Sequence, residues 1–329
     1  MVQSHPTPEA KAESGEGPEL SVVAPMYNEE DNIAAFFAAL MPVLEGLGLS
    51  YEVICVDDGS TDSTLEKVMA VRAREGRVKV VSLSRNFGKD MALSAGLDHA
   101  SGDAVVPIDT DLQDPPELIA EMIATWRQGY DVVYAVRASR RHSDSALKRG
   151  SASLFYRTFN LLVDTNIPRD TGDFRLMDRA VVEALRQLPE RTRFMKGLFS
   201  WVGFRQTGIA YERKARHAGD TKWSWWRLWN FALDGITSFS TLPLRFWAYL
   251  GLVISALSFV YLVFLIIRVL ISGIDVPGYA SLMVVVLFLG GLQMLTLGIF
   301  GEYLGRLFDE VKGRPLYIVR RRYGFGPDG

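Results

Sequence analysis

The chain has 329 residues, enough for one large domain with an appendage or for two domains, and its 36 Lys and Arg against 38 Asp and Glu leave a formal net charge of -2. That balance gives no reason to expect a nucleic-acid partner. A single cysteine, Cys55, rules out an internal disulfide or a thiolate metal cluster, and four scattered histidines without a His-x-x-x-His pair argue against a zinc hydrolase.

Residues 1–18 are polar and rich in Pro, Glu, Gly and Ser, which predicts a disordered tail and not a signal peptide. From Leu20 onward, short apolar runs alternate with helical stretches. The runs are Leu20 to Pro25, Glu52 to Val56, Val78 to Leu83, Ala104 to Ile108 and Val132 to Val136. The helical stretches are Glu29 to Leu47, Ser63 to Arg74, Gly88 to Ala100 and Pro115 to Gln128. This alternation predicts an α/β fold with a mostly parallel sheet covered on both faces, and nearly unbroken apolar runs are what strands buried on both faces require.

Polar loops follow the strands: Pro25-Met-Tyr27-Asn28-Glu29, Asp57-Asp58-Gly59-Ser60-Thr61-Asp62 and Ser84-Arg85-Asn86-Phe87-Gly88-Lys89. The fourth run ends in Asp109-Thr110-Asp111-Leu112-Gln113, followed by Asp114-Pro115-Pro116-Glu117, which reads as a helix start capped by Asp114. Asp109, Asp111 and Gln113 then stand at the carboxyl end of a strand, where open α/β sheets bind ligands. Two carboxylates and an amide oxygen suit a hard divalent cation, Mg2+ or Mn2+, which would neutralise a diphosphate. Asp57 and Asp58 can accept hydrogen bonds from a base and from ribose hydroxyls, or serve only to form the turn at Gly59. No P-loop and no Gly-x-Ser-x-Gly elbow is present. The sole Gly-x-Gly-x-x-Gly (Gly324, Gly326, Gly329) lies in the tail, outside the strand-to-helix context that the dinucleotide motif needs.

Further on, residues 144–163 and 223–240 can form amphipathic helices. The second places Trp225, Trp229, Ile236 and Phe239 on one face, as expected of a helix lying in the headgroup layer. Phe246 to Ile271 carries one charge, Arg268, and Tyr279 to Leu304 carries one, Glu302. Each exceeds the roughly 20 apolar residues that cross a bilayer, so two spans are predicted. The link between them has no Lys or Arg. Basic residues from Arg213 to Arg245 and from Arg306 to Arg322 flank the pair, which places the large domain and both termini in the cytoplasm, at an inner membrane crossed twice. The implied layout is a tail to residue 18, a catalytic domain at 19–222, an interfacial helix at 223–245, a hairpin of spans at 246–304 and a cytoplasmic tail at 305–329. Leu316 to Val319 is a short strand candidate that could pair with a neighbouring copy and so support a homo-oligomer.

The segments VVAPMYNEE (22–30), VDDGSTD (56–62), RNFGK (85–89) and IDTDLQDPPE (108–117), in this order, resemble glycosyltransferase family 2, and within it the polyprenyl-phosphate glycosyltransferases related to dolichol-phosphate mannose synthase. GDFRLM from Gly172, ERTRFMKGLFSWVG from Glu190, AGDTK from Ala218 and GITSFSTLP from Gly235 resemble the bactoprenol glucosyltransferases among them. The resemblance covers about residues 20 to 305 and implies a GT-A fold. It also implies that Pro25, Tyr27, Glu29, Asp57, Asp58, Thr110 and Lys222 bind the nucleotide sugar, and that Asp109, Asp111 and Gln113 serve metal and catalysis. Arg137, Arg149 and Ser153 would bind the acceptor phosphate, with Arg175 a further candidate because a guanidinium matches phosphate. Trp223 stands where many relatives have Tyr or Phe, and no Gln-x-x-Arg-Trp motif of processive synthases occurs. The expected reaction is inverting transfer of one sugar, glucose from UDP-glucose, to undecaprenyl phosphate. Two alternatives stay open: another donor such as GDP-mannose or a UDP-aminopentose, or a non-catalytic nucleotide-binding scaffold for a lipid flippase.

Overall fold

A computed structural model describes residues 17–137, 171–188, 190–191, 193, 195–211, 242–272 and 278–326. The tail to residue 16, both amphipathic stretches, and with them Arg149, Ser153 and Lys222, lie outside the described residues.

The chain runs β1 (Leu20–Met26), α1 (Ile33–Gly46), β2 (Tyr51–Asp57), α2 (Thr64–Arg72), β3 (Val78–Leu83), α3 (Lys89–His99), β4 (Ala104–Pro107), α4 (Leu118–Trp126), β5 (Val132–Arg137), β6 (Thr171–Asp178), α5 (Arg179–Gln187), α6 (Met195–Trp201), β7 (Gln206–Tyr211), α7 (Leu242–Ser272), α8 (Tyr279–Lys312) and β8 (Val319–Tyr323). One eight-stranded sheet has the order β7-β5-β6-β4-β1-β2-β3-β8, and only β6 and β8 run against the rest. The predicted mostly parallel sheet is therefore present, with the GT-A-like order of a central β1. Because β1 lies between β2 and β4, the chain reverses its direction of winding there. That switch opens a crevice beyond the carboxyl ends of β1 and β4.

Strand periodicity divides the core into two layers. Val22, Ala24, Val53 and Cys55 pack with Phe36, Leu40 and Ile119 on one face, and Val23, Ile54 and Val56 pack with Leu93, Val181 and Phe199 on the other. Helix α1 buries Ile33, Phe36, Phe37, Leu40 and Leu44, the stripe that a 3.6-residue period provides. Gly96 lets α3 lie directly on the sheet, since a Cβ there would stand 2.1 Å from Val23 Cγ1.

The amino edge of the sheet is closed by a buried carboxylate. Glu52 accepts from Ser21 Oγ at 2.6 Å, from Ser101 N and Oγ at 2.8 Å each, and pairs with Lys79 Nζ at 2.6 Å. Burial opposes its charge, but Lys79 and the serine donors outweigh that and hold Glu52 below the ordinary carboxylate range. Because its folded pKa is depressed, its contribution is complete above the unfolded pKa and is lost as pH falls through the folded value. Glu52→Gln keeps the shape and removes the charge, and is expected to cost about 1.5–3 kcal/mol in urea unfolding at neutral pH. The gap from wild type should close on acidification.

Helices α7 and α8 contain 31 and 34 residues and cover both stretches expected to span. Among the described residues one segment, Val284–Lys312, is long and apolar enough to cross a membrane, with a mean hydropathy of 2.1 in a window none of which is buried. After it the backbone turns at Gly313 (φ 59°) and returns to the sheet, where β8 pairs antiparallel with β3. The expected strand at Leu316 to Val319 is thus shifted to Val319–Tyr323 and is satisfied by the protein's own edge instead of a neighbour's. Tyr317 donates to Asp98 Oδ2 at 2.7 Å and Ser84 N to Ile318 O at 2.9 Å, which dock the return segment on α3 and the end of β3.

Candidate active site

Three loops meet at the carboxyl edge of β1, β2 and β4, and backbone donors lace the first two together. Asp58 N donates to Met26 O at 2.9 Å, Asn28 N to Ser60 Oγ at 3.1 Å, Thr61 N to Asn28 Oδ1 at 2.9 Å and Glu29 N to Thr64 Oγ1 at 2.8 Å. Asn28 adopts φ 52°, a left-handed conformation that asparagine tolerates. The Glu29 carboxylate accepts from Asn32 Nδ2 at 2.5 Å. Tyr27 projects from this frame and is 44% exposed, as an aromatic surface offered to a ligand would be.

Asp57 and Asp58 are both buried and both have structural work. Asp57 accepts from Ser60 N at 3.0 Å and Ser82 Oγ at 3.1 Å. Asp58 accepts from Phe87 N at 2.7 Å and Gly88 N at 2.9 Å, so it fixes the loop leading into α3. Burial pushes the Asp58 carboxyl up while these two amides pull it back. The same junction needs Gly59 (φ 67°), because a Cβ there would lie 2.4 Å from the Arg85 carbonyl carbon.

On the β4 loop Thr110 and Asp111 are buried, and Asp111 Oδ1 accepts from Gln113 N at 3.1 Å, an Asx-type turn that keeps the two acidic residues on one bend. Asp109 is less covered and pairs with Lys89 Nζ at 2.7 Å. The regular part of α4 begins at Leu118 with Glu117 as N-cap, three residues later than the capping pattern suggests. Asp114 instead accepts a short hydrogen bond from Tyr211 OH of β7. Two prolines, whose carbonyls accept from Leu118 N and Ile119 N, make a separate turn before the helix.

Lys89 also pairs with Asp173 Oδ2 of β6 at 2.7 Å, which joins the crevice to the neighbouring antiparallel strand. Burial opposes the Lys89 charge, but Asp109 and Asp173 hold its pKa above the ordinary value. Asp173 is likewise held low by Lys89 and Lys196 despite burial, and burial with Asp173 nearby pushes Asp90 up to about 6. Burial lowers the Lys196 pKa, partly offset by Asp173. Arg137 ends β5 opposite Tyr211; burial works against its charge, yet Tyr211, Asp114 and Asp173 hold it above its usual value. Burial, and then Asp114, pushes Tyr211 up to about 12.

The structure thus brings Pro25, Tyr27, Glu29, Asp57, Asp58, Thr110, Asp109, Asp111 and Gln113 to one edge, with Arg137 on the same side of the sheet. Arg175 is a different case. It is buried, donates to Gly172 O at 2.8 Å and lies 3.9 Å over the Phe199 ring, and burial lowers it to about 10. It supports β6 from beneath and does not stand on an accessible rim. Lys89, Asp90, Asp173, Lys196 and Tyr211 were not singled out as functional by the sequence. Lys89 had a signal: it is the first residue of α3, where the helix dipole disfavours a cation.

Comparisons with known proteins identify the family. The family model described as "Glycosyl transferase family 2" matches residues 21–186, from β1 into α5. An uncharacterised glycosyltransferase of Synechocystis is 58% identical over 306 residues, 93% of this chain and 96% of its own length. The bactoprenol glucosyl transferase of Shigella phage SfII is 47% identical over 308 residues, 94% of this chain and 99% of its own length. Among solved structures, glucosyl-3-phosphoglycerate synthase from Mycobacterium tuberculosis, in complex with Mn2+, UDP-glucose and phosphoglyceric acid, aligns with a TM-score of 0.46 at 20% identity over 71% of this chain and 83% of that one. With the family model covering β1 to β6, from which the acidic loops spring, and relatives matching nearly end to end, the chain belongs to glycosyltransferase family 2 and is a glycosyltransferase.

Proposed function

We propose that this enzyme transfers one glucose from UDP-glucose to undecaprenyl phosphate, with inversion at the anomeric carbon, at the cytoplasmic face of a membrane that α7 and α8 both span. The product would be a lipid-linked glucose for cell-surface polysaccharide modification. The observation that carries the reading is the 47% identity, over 94% of this chain, to a protein named bactoprenol glucosyl transferase. A membrane-bound acceptor also fits the exposed apolar surface of the two helices, where Leu252, Phe259, Val284 and Phe288 all face outward.

In this reading Tyr27, Pro25 and the Asp57 and Asp58 loop receive the nucleoside, and Asp109 and Asp111 face the diphosphate. Among the described residues no three carboxylate or imidazole groups gather as a protein-only cation cage. Two hard carboxylates on one bend instead fit a Mg2+ or Mn2+ that completes its shell with phosphate oxygens and water. Asp109 and Asp111, with Gln113, would hold it, and it would supply charge stabilisation of the leaving diphosphate. The acceptor needs no general base, since a phosphate monoester with a second pKa near 6 is largely dianionic at neutral pH. Arg137, with Arg149 and Ser153, would hold that dianion.

The test is incubation of the purified full chain with undecaprenyl phosphate and a panel of radiolabelled sugar nucleotides, followed by thin-layer separation of the organic phase. Label should enter the lipid from UDP-glucose. Label from GDP-mannose or a UDP-aminopentose alone would overturn the donor assignment, and no labelled lipid from any donor would overturn the acceptor.

A further inference from the structure

Lys89 is in an unfavourable place for a lysine. It opens α3 directly after Gly88 (φ 101°), where the unpaired N–H groups and the helix dipole repel a cation. The loop before it is not free to relax, since Asp58 binds both Phe87 N and Gly88 N. The ammonium is held there by two carboxylates at 2.7 Å each, Asp109 of the β4 loop and Asp173 of β6. A local preference broken at this cost points to a role in the site.

One of those carboxylates is the same Asp109 to which the divalent cation is assigned above, so the inference rests on that assignment. We propose that Lys89 is a built-in counter-ion for the metal site. It holds Asp109 against Asp173 while the cation is away and yields Asp109 when the cation arrives with the donor. An ammonium and a dication a few ångströms apart repel, and the repulsion is strong where water is partly excluded. The cation therefore binds weakly to the empty enzyme. The diphosphate changes the balance, because its charge compensates both the cation and the displaced ammonium, which stays anchored on Asp173. Metal and donor then bind cooperatively, each raising the affinity of the other by the same factor. Asp173 acts here as a positioning residue, holding the ammonium within reach of the crevice.

Mn2+ binding to the detergent-solubilised full chain, followed by the electron paramagnetic resonance signal of free Mn2+ with and without UDP, tests this without recourse to turnover. Lys89→Gln should tighten Mn2+ binding in the absence of UDP by on the order of tenfold, and should shrink the enhancement by UDP correspondingly. Lys89→Met should behave as Lys89→Gln, which guards against a folding defect in either variant, and Lys89→Arg should stay weak like wild type. Unchanged or weaker Mn2+ binding in both neutral variants, with melting temperatures near wild type, would overturn the role of Lys89. Tightening in Lys89→Arg as well would also overturn it, because charge would not be the cause. Tight Mn2+ binding that persists in Lys89→Gln/Asp109→Asn would show that the cation is not at Asp109, which defeats the metal assignment itself and this inference with it.

Discussion

Asp109→Asn is expected to lower sugar transfer by on the order of 10²- to 10³-fold, the range found when one electrostatic group facing developing charge is removed. The carboxylate stands on the β4 loop at the sheet's switch point, and its charge in the resting protein is met by Lys89 at 2.7 Å. Asparagine preserves the shape and the loop, so the loss should appear in turnover and not in folding. Lys89 keeps Asp173 as a partner, which limits any cost in stability. Initial rates with saturating donor and acceptor, compared with thermal melting of the same preparations, check this. A variant that retained more than about a tenth of wild-type turnover while still requiring Mg2+ or Mn2+ would remove Asp109 from the site.

Gly59→Ala should be nearly as damaging by a different route. At φ 67° a Cβ is strained, and here it would also stand 2.4 Å from one backbone atom of Arg85, 2.7 Å from another and 2.8 Å from Asn86 N. Backbone cannot rotate away as a side chain would, so the β2 loop and the Arg85–Lys89 loop must separate. The Asp58 bonds to Phe87 and Gly88 would break with them. We expect a stability loss of roughly 2–4 kcal/mol and a fall in UDP affinity of at least about tenfold by calorimetry. Gly76→Ala is the control, since nothing lies within 4 Å of a Cβ there. Equal effects at the two positions would mean that close approach at Gly59 is not the cause.

Of the parallel strands, β1 to β5 were legible because they are largely buried and therefore read as apolar runs, whereas β7, parallel to β5 but half-exposed, was not. Val78–Leu83 agrees with the sequence at both ends, β1, β4 and β5 differ by one residue at one end, and β2 by one residue at each end. Of the antiparallel strands, β6 was not legible and β8 was expected too early, at Leu316 to Val319. β6 carries Gly172, Asp173 and Arg175 among its apolar residues, and β8 is Val-Arg-Arg-Arg-Tyr, an edge strand whose three arginines are exposed. Charged edge strands satisfy solubility before they satisfy strand propensity. In the site, the Asp109 loop was legible because acidic residues end an apolar strand. Asp114 was misread because a side chain with cap chemistry has a second use, and its partner Tyr211 lies 97 residues away. The Lys89 link to Asp173 depends on pairing β6 into the sheet beside β4, which no local pattern encodes.

The return of the chain to its own sheet sets an order of assembly. β3 and β8 are separated by the whole of the rest of the catalytic domain and by both long helices, yet they are sheet neighbours. During synthesis at about 5–20 residues per second, the outer edge of β3 stays unpaired for tens of seconds after it has emerged, with its backbone donors and acceptors open to any passing strand. The edge can close only once the last helix has been released and Tyr323 has left the ribosome. A chain stalled or cut within α8 would therefore carry a nearly complete catalytic domain with an adhesive border.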